Sequence, residues 1–507
     1  MPCAYADSEA HSWPGPCSII FALWEELKYL ESVHTSVSYA HMTVLQLREL
    51  AKEKRIRLPY GVNKAQIVEL LSRQDEPEQP ALTACAEDEE IGLYKPKPLG
   101  YYDEEYGTSN PVVPRMLKAG LLAPGQGILE MQAGGYGFLR AKNGSPGPED
   151  IYVSIAQIRR FGLRCGDHVV GKTRPKRAGD RYNALMYIER INGDPPEKAR
   201  QRRPFDTLTP IHPNRRLTLE NREGGSDPSM RLLDFIAPIG LGQRALIVAP
   251  PKAGKTVLLK KIAQAIERNH PDIELMALLI DERPEEVTDI RRSIGAQVFD
   301  STFDAPQENH IRVADMVFER AQRLVEQGRD VVVLMDSLTR LARACNAMAP
   351  GGRAMSGGLA PGVLARPKRF FGAARNIEEG GSLTIIATVL VETGSRMDDV
   401  IFEEFKGTGN AEIRLDRALS EARIFPAVDL TRSGTRHEEL LLTGEECEGV
   451  AAVRRILSQG HTREATQQLL SMLEKTERNK DFFRKLQEWL AIWEKEGYTI
   501  RSLRSSV

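Results

Sequence analysis

Paired cysteines are missing from this chain. Six cysteines (Cys3, Cys17, Cys85, Cys165, Cys345, Cys447) are scattered over 507 residues without a CxxC pair. That spacing speaks against a zinc site or a disulfide framework and fits free thiols in a reducing cytosol. Long hydrophobic runs are missing too. The longest early one, Ile19 to Trp24, falls far short of the ~20 residues that a membrane helix needs. It has no basic leader and no small-residue cleavage site, so neither a signal peptide nor a span is expected, and a cytoplasmic location is. Nor is there an excess of charge: the formal net charge is −1. This does not exclude a nucleic-acid partner, because a local basic patch decides that, not the total.

What is present is enough apolar material for real cores, 41% of residues, over a length that suits two or three domains. Residues 1–41 carry no motif and read as an extension without fixed structure; Met42, which opens the first patterned segment, is a candidate start. Residues 42–72 place Leu45, Leu47, Leu50, Ile67, Val68, Leu70 and Leu71 at helical spacing around Leu58-Pro59-Tyr60-Gly61, which predicts two short helices. Residues 73–114 are acidic, Pro-rich and aperiodic, as in a flexible linker. Short strand-like runs punctuated by Gly and Pro over 115–195 predict a small β-barrel. A basic connector covers 196–226. From 227 to 507, apolar strands alternate with helical stretches, the pattern of an α/β domain.

The α/β part carries the chemistry. The strand Ala245–Val248 enters Ala249-Pro250-Pro251-Lys252-Ala253-Gly254-Lys255-Thr256, and a helix follows from Val257. This is a phosphate-binding loop in a strand–loop–helix setting, with Ala249 where the strict pattern has Gly. Backbone N–H groups there face phosphate oxygens, Lys255 reaches the outer phosphates and Thr256 takes one Mg²⁺ position. The run Val331–Met335 predicts a strand buried on both faces, with Asp336 emerging at its carboxyl end to hold Mg²⁺ through water. A further strand, Leu275–Ile280, leads into Asp281-Glu282. One of these two carboxylates can orient the attacking water; Glu282 is preferred and Asp281 is its rival, although either also reads as a helix cap.

The barrel region offers a different chemistry. In Gly135-Tyr136-Gly137-Phe138-Leu139-Arg140, strand alternation puts Tyr136, Phe138 and Arg140 on one face. Asp150-Ile151-Tyr152 and Asp180-Arg181-Tyr182 add aromatics beside polar groups, and Arg159, Arg160, Arg164, Lys172, Arg174, Lys176 and Arg177 are close in sequence. Rings and cations on one exposed face make a platform for stacked bases. Taken alone, the same rings also read as barrel core.

These motifs, with Arg366 to Asn376, Phe405 to Asn410 and Asp336-Ser337-Leu338-Thr339-Arg340, resemble the Rho family of transcription termination factors from about Arg115 to past Leu442. The likeness is weaker over Met42–Leu71. The resemblance implies a RecA-like ATPase motor behind a cold-shock-like OB barrel and a short helical domain. It implies ATP and Mg²⁺, a homohexamer, single-stranded RNA, and action on the RNA polymerase elongation complex and its elongation factors. It makes Glu282 the catalytic carboxylate and Arg436 an arginine finger acting on a neighbouring subunit's ATP. Arg423 becomes a further interface arginine. Gly240, Leu241, Gly242, Gln243, Arg244 and Ala245 join Lys252 through Val257 and Arg283 around the nucleotide, and Phe425 packs on the adenine. The barrel motifs become the primary RNA site. The loop Arg353-Ala354-Met355-Ser356-Gly357-Gly358 and Arg396 become a second grip in a central hole. The first of these loops is about one residue short of the family pattern, and Arg396 stands where Lys is frequent. A rotary ATPase subunit shares the motor but has no use for the aromatic barrel, and a non-catalytic RNA binder has no use for Lys255, Thr256, Asp336 and Glu282 together.

Overall fold

The computed structural model describes residues 111–141, 144–176, 179–221, 227–349, 356–458 and 462–495. The two short helices expected within 42–72, the bulk of the acidic stretch and residues 350–355 lie outside them. Helix α1 (Val112–Lys118) begins inside the stretch read as linker, because Val113 and Met116 find a buried apolar setting.

Strands β1 (Ala123–Met131), β2 (Gly137–Arg140), β3 (Ile151–Val153), β4 (His168–Arg174) and β5 (Asn183–Ile191) close into a barrel in the order β1-β2-β3-β5-β4. Alternation fills it: Leu129, Leu139, Ile151, Val153, Val169 and Leu185 point inward. Helix α2 (Ile155–Phe161), started by a Ser154–Gln157 capping box, adds Ile158 to that core.

The second sheet comprises β6 (Pro210–Ile211), β7 (Arg244–Ala249), β8 (Glu274–Glu282), β9 (Gln297–Thr302), β10 (Asp330–Asp336), β11 (Arg375–Ile377), β12 (Ser382–Leu390), β13 (Ala411–Arg414) and β14 (Gly434–Thr435). Its main path is β14-β13-β7-β12-β10-β8-β9, parallel from β13 to β9. The apolar runs are explained by helices on both faces. Helices α3 (Lys255–Asn269) and α4 (Pro284–Ser293) cover Ala277, Leu279, Val332 and Leu334. Helices α5 (Gln307–Val325), α6 (Leu338–Ala347) and α7 (Arg396–Lys406) cover Leu278, Ile280, Val333 and Met335. Because every parallel strand points the same way, Ala249, Glu282, Asp336 and Leu390 all arrive at one end of the sheet.

The barrel is fastened to α5 by buried charge. Glu326, with no side-chain exposure, accepts from Arg164 (3.1 Å) and pairs with Arg323 (2.8 Å) and Arg202 (3.2 Å). Asp167 is clasped by both Arg202 and Asn192, and Asn192 accepts in turn from Arg320. Arg164, Arg202 and Arg323 share the Glu326 carboxylate, whereas Arg320 has a neutral amide as its partner and keeps its Nε buried without one.

Candidate nucleotide site and RNA-facing surface

Local backbone chemistry shapes the phosphate loop. Gly254 (φ 88°) and Lys252 (φ 66°) take the left-handed conformation, which turns the chain from β7 directly into α3. A side chain at Gly254 is disfavoured by that φ alone. Lys255 opens α3, and its Nζ donates to Glu282 Oε1 (2.6 Å) and to both oxygens of Asp336 (2.8 and 2.7 Å). Asp336 is fully buried and also accepts from Thr388 Oγ1 on β12 (2.7 Å). Burial disfavours the Lys255 ammonium, but Asp336 and Glu282 outweigh it and its pKa lies above the ordinary lysine value. Burial and the Asp336 charge hold the Glu282 carboxyl above the usual glutamate value.

The structure separates the two rival carboxylates. A register shift in the β8–β9 ladder falls between Ile280 and Glu282, and Asp281 sits there at φ 57°. The bulge re-aims the side chains. Glu282 turns in to Lys255, whereas Asp281 pairs with Arg340 of α6. Thr256 is half-buried in the first turn of α3, Val257 is exposed, and Arg283 is exposed at the start of α4. Phe425 is 51% exposed, and its ring carbons lie 3.7 and 3.9 Å from where a Cβ on Gly254 would sit. It therefore flanks the phosphate loop. Arg423 is exposed nearby in sequence.

One group of expected residues is elsewhere. Gly240, Leu241, Gly242, Gln243, Arg244 and Ala245 lead into β7 at its amino end, and the phosphate loop leaves its carboxyl end. From Ala245 to Ala249 the strand rises ~13 Å, so these residues do not line the same cleft as Lys255 within one chain. The glycines there serve a tight entry. Gly242 has φ 92°, donates to Thr384 Oγ1 (2.8 Å), and leaves only 2.1 Å between an added Cβ and Asn376 N. Gly242→Ala is expected to cost ~1–3 kcal/mol in backbone conformation and ~1–3 kcal/mol in overlap, read as a lowered melting temperature.

Arg436 lies at the same far end. Its N–H donates to Asn410 O (2.8 Å), just before β13, and the side chain is exposed at the rim of a cavity of about 630 Å³ shared with Asn410, Glu412 and Arg454. A single chain does not bring Arg436 to its own Lys255.

On the barrel, the aromatics gather. Phe138 lies 4.9 Å from Tyr182, 5.8 Å from Tyr136 and 6.1 Å from Tyr152, ring centre to ring centre. Tyr152 is 36% exposed on the open face, with Gly135 in the turn before Tyr136 and Gly137 leading into the strand. Leu139 and Ile151 point into the core, so only their backbones face the platform. Arg140 departs from expectation: it is 7% exposed, under the Phe138 ring, clasped by Glu130 and the buried Asp150. Alternation gave its face but not its partners, because Glu130 comes from β1. Arg181 stacks on Tyr182, and Asp180 pairs with Arg174 (2.9 Å).

Arg353, Ala354 and Met355 lie outside the described residues. The rest of that loop, Ser356, Gly357 and Gly358, forms a turn against α7: a Cβ on Gly357 would stand 2.9 Å from Val400 and 3.3 Å from Arg396 O. Thus the two proposed grips are adjacent. Asp398 anchors the second, bound by Arg343 (2.8 Å twice) and Thr393 (2.6 Å), and Arg396 is exposed beside it.

Comparison with known proteins is consistent with this geometry. A family model for the Rho termination factor RNA-binding domain matches residues 125–197, and one for the ATP synthase alpha/beta family nucleotide-binding domain matches 229–435. Transcription termination factor Rho of Bacillus subtilis (strain 168) is 57% identical over 367 residues, covering 72% of this chain and 85% of the relative. The chain belongs to the transcription termination factor Rho family. The Rho of Escherichia coli (strain K12) is 55% identical over 363 residues, 71% of this chain and 87% of its own. Among solved structures, an ATPase from a type III secretion system of pathogenic bacteria aligns at TM-score 0.47 and 24% identity, over 56% of this chain and 87% of that one. In this Rho-family chain the barrel is the RNA-binding domain and the sheet with Lys255 is the nucleotide-binding domain. No described helix is long and apolar enough to cross a membrane.

Proposed function

We propose that this chain is an ATP-driven translocase on single-stranded RNA, which ends transcription by pulling RNA from the RNA polymerase elongation complex, in contact with its elongation factors. It works in the cytoplasm as a homohexamer. The observation that carries the reading is Lys255 held between Glu282 and Asp336 in a chain that also presents the Tyr136–Phe138–Tyr152–Tyr182 cluster. One part fits hydrolysis, the other fits stacked bases.

Lys255 leaves its carboxylates for the outer phosphates of ATP, and Glu282, freed, orients the attacking water. Asp336 at the end of β10 and the Thr256 hydroxyl in the first turn of α3 are hard oxygen donors that would suit Mg²⁺, which would supply charge neutralisation at the phosphates. Phe425 beside Gly254 gives the adenine a face to pack on. Arg436, at the opposite end of the sheet, completes the site of the adjacent subunit, which supports assembly by contacts between unlike faces. The Arg396 loop and its Gly357 neighbour grip RNA in the hole.

The test is ATP turnover with and without poly(C), together with filter retention of the RNA across a salt series. Turnover that rises with RNA, and retention that falls with salt, are expected. Equal turnover in both arms rejects the proposal. Phe138→Ala is expected to weaken poly(C) retention by ~5–150-fold, the effect of ~1–3 kcal/mol per stacked base, with turnover in the absence of RNA unchanged. Unaltered retention would return the cluster to a packing role.

A further inference from the structure

The aromatic platform and Glu282 belong to different domains, yet a chain of hydrogen bonds joins the segment between the platform strands to β9, the strand paired with Glu282. At the barrel end are residues 144–150, the described part of the connection that leads into the platform strand β3. Arg312 of α5 donates to Gly144 O and, at 3.3 Å, to Ser145 Oγ in that loop; its guanidinium also lies 3.7 Å from Glu130, the partner of Arg140. The approach is close. Gly144 (φ 68°) leaves 2.0 Å between an added Cβ and Met316 Sδ of the same helix, and its positive φ favours glycine there.

From Arg312 the path continues inward. Arg312 Nη2 donates to Asn309 Oδ1 (2.7 Å), and the same amide donates from Nδ2 to Ser301 Oγ (2.8 Å). Ser301 Oγ lies 2.7 Å from Nδ1 of His310, which is completely buried. Burial lowers the His310 pKa, and the ring shares one hydrogen bond between Nδ1 and the Ser301 hydroxyl. Ser301 is in β9, opposite Ile280, and its neighbour Thr302 is opposite Glu282 across the bulge; Phe303 N–H donates to Glu282 O (3.2 Å). One asparagine side chain, accepting on one side and donating on the other, thus links the barrel loop to the strand that aims Glu282.

We propose that Arg312 is a positioning residue for ATP turnover: through Asn309 and Ser301 it transmits occupancy of the barrel by RNA to Glu282. This rests on the reading of Glu282 and the platform given above. A base settling on Phe138 and Tyr152 shifts the loop held by Arg312, and packed, hydrogen-bonded elements pass such shifts on rather than absorb them. Arg312 touches neither nucleotide nor platform ring, so its loss separates RNA binding from RNA response.

The experiment uses the full chain with Arg312→Gln, Asn309→Ala and the double variant. Three quantities are read for each: poly(C) retention, turnover without RNA, and turnover at saturating poly(C) and ATP. For the single variants, retention and RNA-free turnover within twofold of the parent are expected, with the RNA-stimulated rate reduced about fivefold or more. The double variant is expected to match the worse single one, since both break one path. An unchanged stimulated rate overturns the proposal. So does a parallel fall in RNA-free turnover, which marks Arg312 as merely structural, or a loss of retention, which places it in the RNA site. Additive losses overturn the single path as well. A parent protein that RNA does not stimulate at all sinks the underlying reading instead, and the parent control shows which has failed.

Discussion

Glu282→Gln is expected to lower RNA-stimulated ATP turnover by ~10²–10⁴-fold, the usual contribution of a positioned acid or base. Glutamine keeps the shape and can still accept from Lys255, so nucleotide affinity measured with a fluorescent ATP analogue should change little. Lys255→Ala fails differently. It leaves Glu282 and the fully buried Asp336 facing each other without the shared cation, so both binding and turnover are expected to go. A pH profile separates the roles. Burial and Asp336 raise the Glu282 pKa, and only its charged form serves. Hence kcat/KM for ATP should begin to fall, as pH is lowered, at a higher pH than an ordinary glutamate would impose, and Glu282→Gln should lack that limb. A wild-type rate in Glu282→Gln would transfer the role to another group, and Asp281, bound to Arg340, would be the first to test.

The second large effect concerns Arg436. Its replacement by alanine is expected to cost ~10³–10⁵ in turnover, the worth of an arginine finger. The informative measurement is a mixture. Arg436→Ala chains and Lys255→Ala chains are each expected to be inactive on their own. Where one of each meets, an intact Lys255 can face an intact Arg436 across the interface. Mixing after dissociation should therefore restore turnover to a fraction of the parent rate. If the mixture stays as inactive as its components, Arg436 does not act across subunits, and its position at the amino end of β13 would need another explanation.

Much of this was readable before any coordinates. The runs Val331–Met335 and Leu275–Ile280 announce doubly covered parallel strands, because no other setting tolerates so many apolar residues in a row. Gly254-Lys255-Thr256 between a strand and a helix fixes the phosphate end of the sheet. What stayed hidden depends on partners distant in sequence. Whether Asp281 or Glu282 faces Lys255 is decided by a bulge against β9. Arg140 was placed on the right face by alternation, but Glu130 on another strand and the buried Asp150 draw it inward. Gly240 and Gly242, which the family resemblance puts at the nucleotide, lie at the amino end of β7, opposite the end that carries Lys255. Thr388, which steadies Asp336, leaves no local signal, being one more residue of an apolar strand.

The junction of barrel and motor has a consequence for how such a protein can be rebuilt. Asp167 and Asn192 accept from the terminal nitrogens of Arg202 and Arg320, and Ile128 of the barrel lies within the motor's own core. A motor shorn of its barrel would expose that core, leave Arg202 with Glu326 alone and strand the Arg320 guanidinium without its amide. The barrel is therefore no cassette to be swapped for another RNA-binding module: any graft must reproduce Ile128, Asp167 and Asn192 before its affinity for RNA can matter.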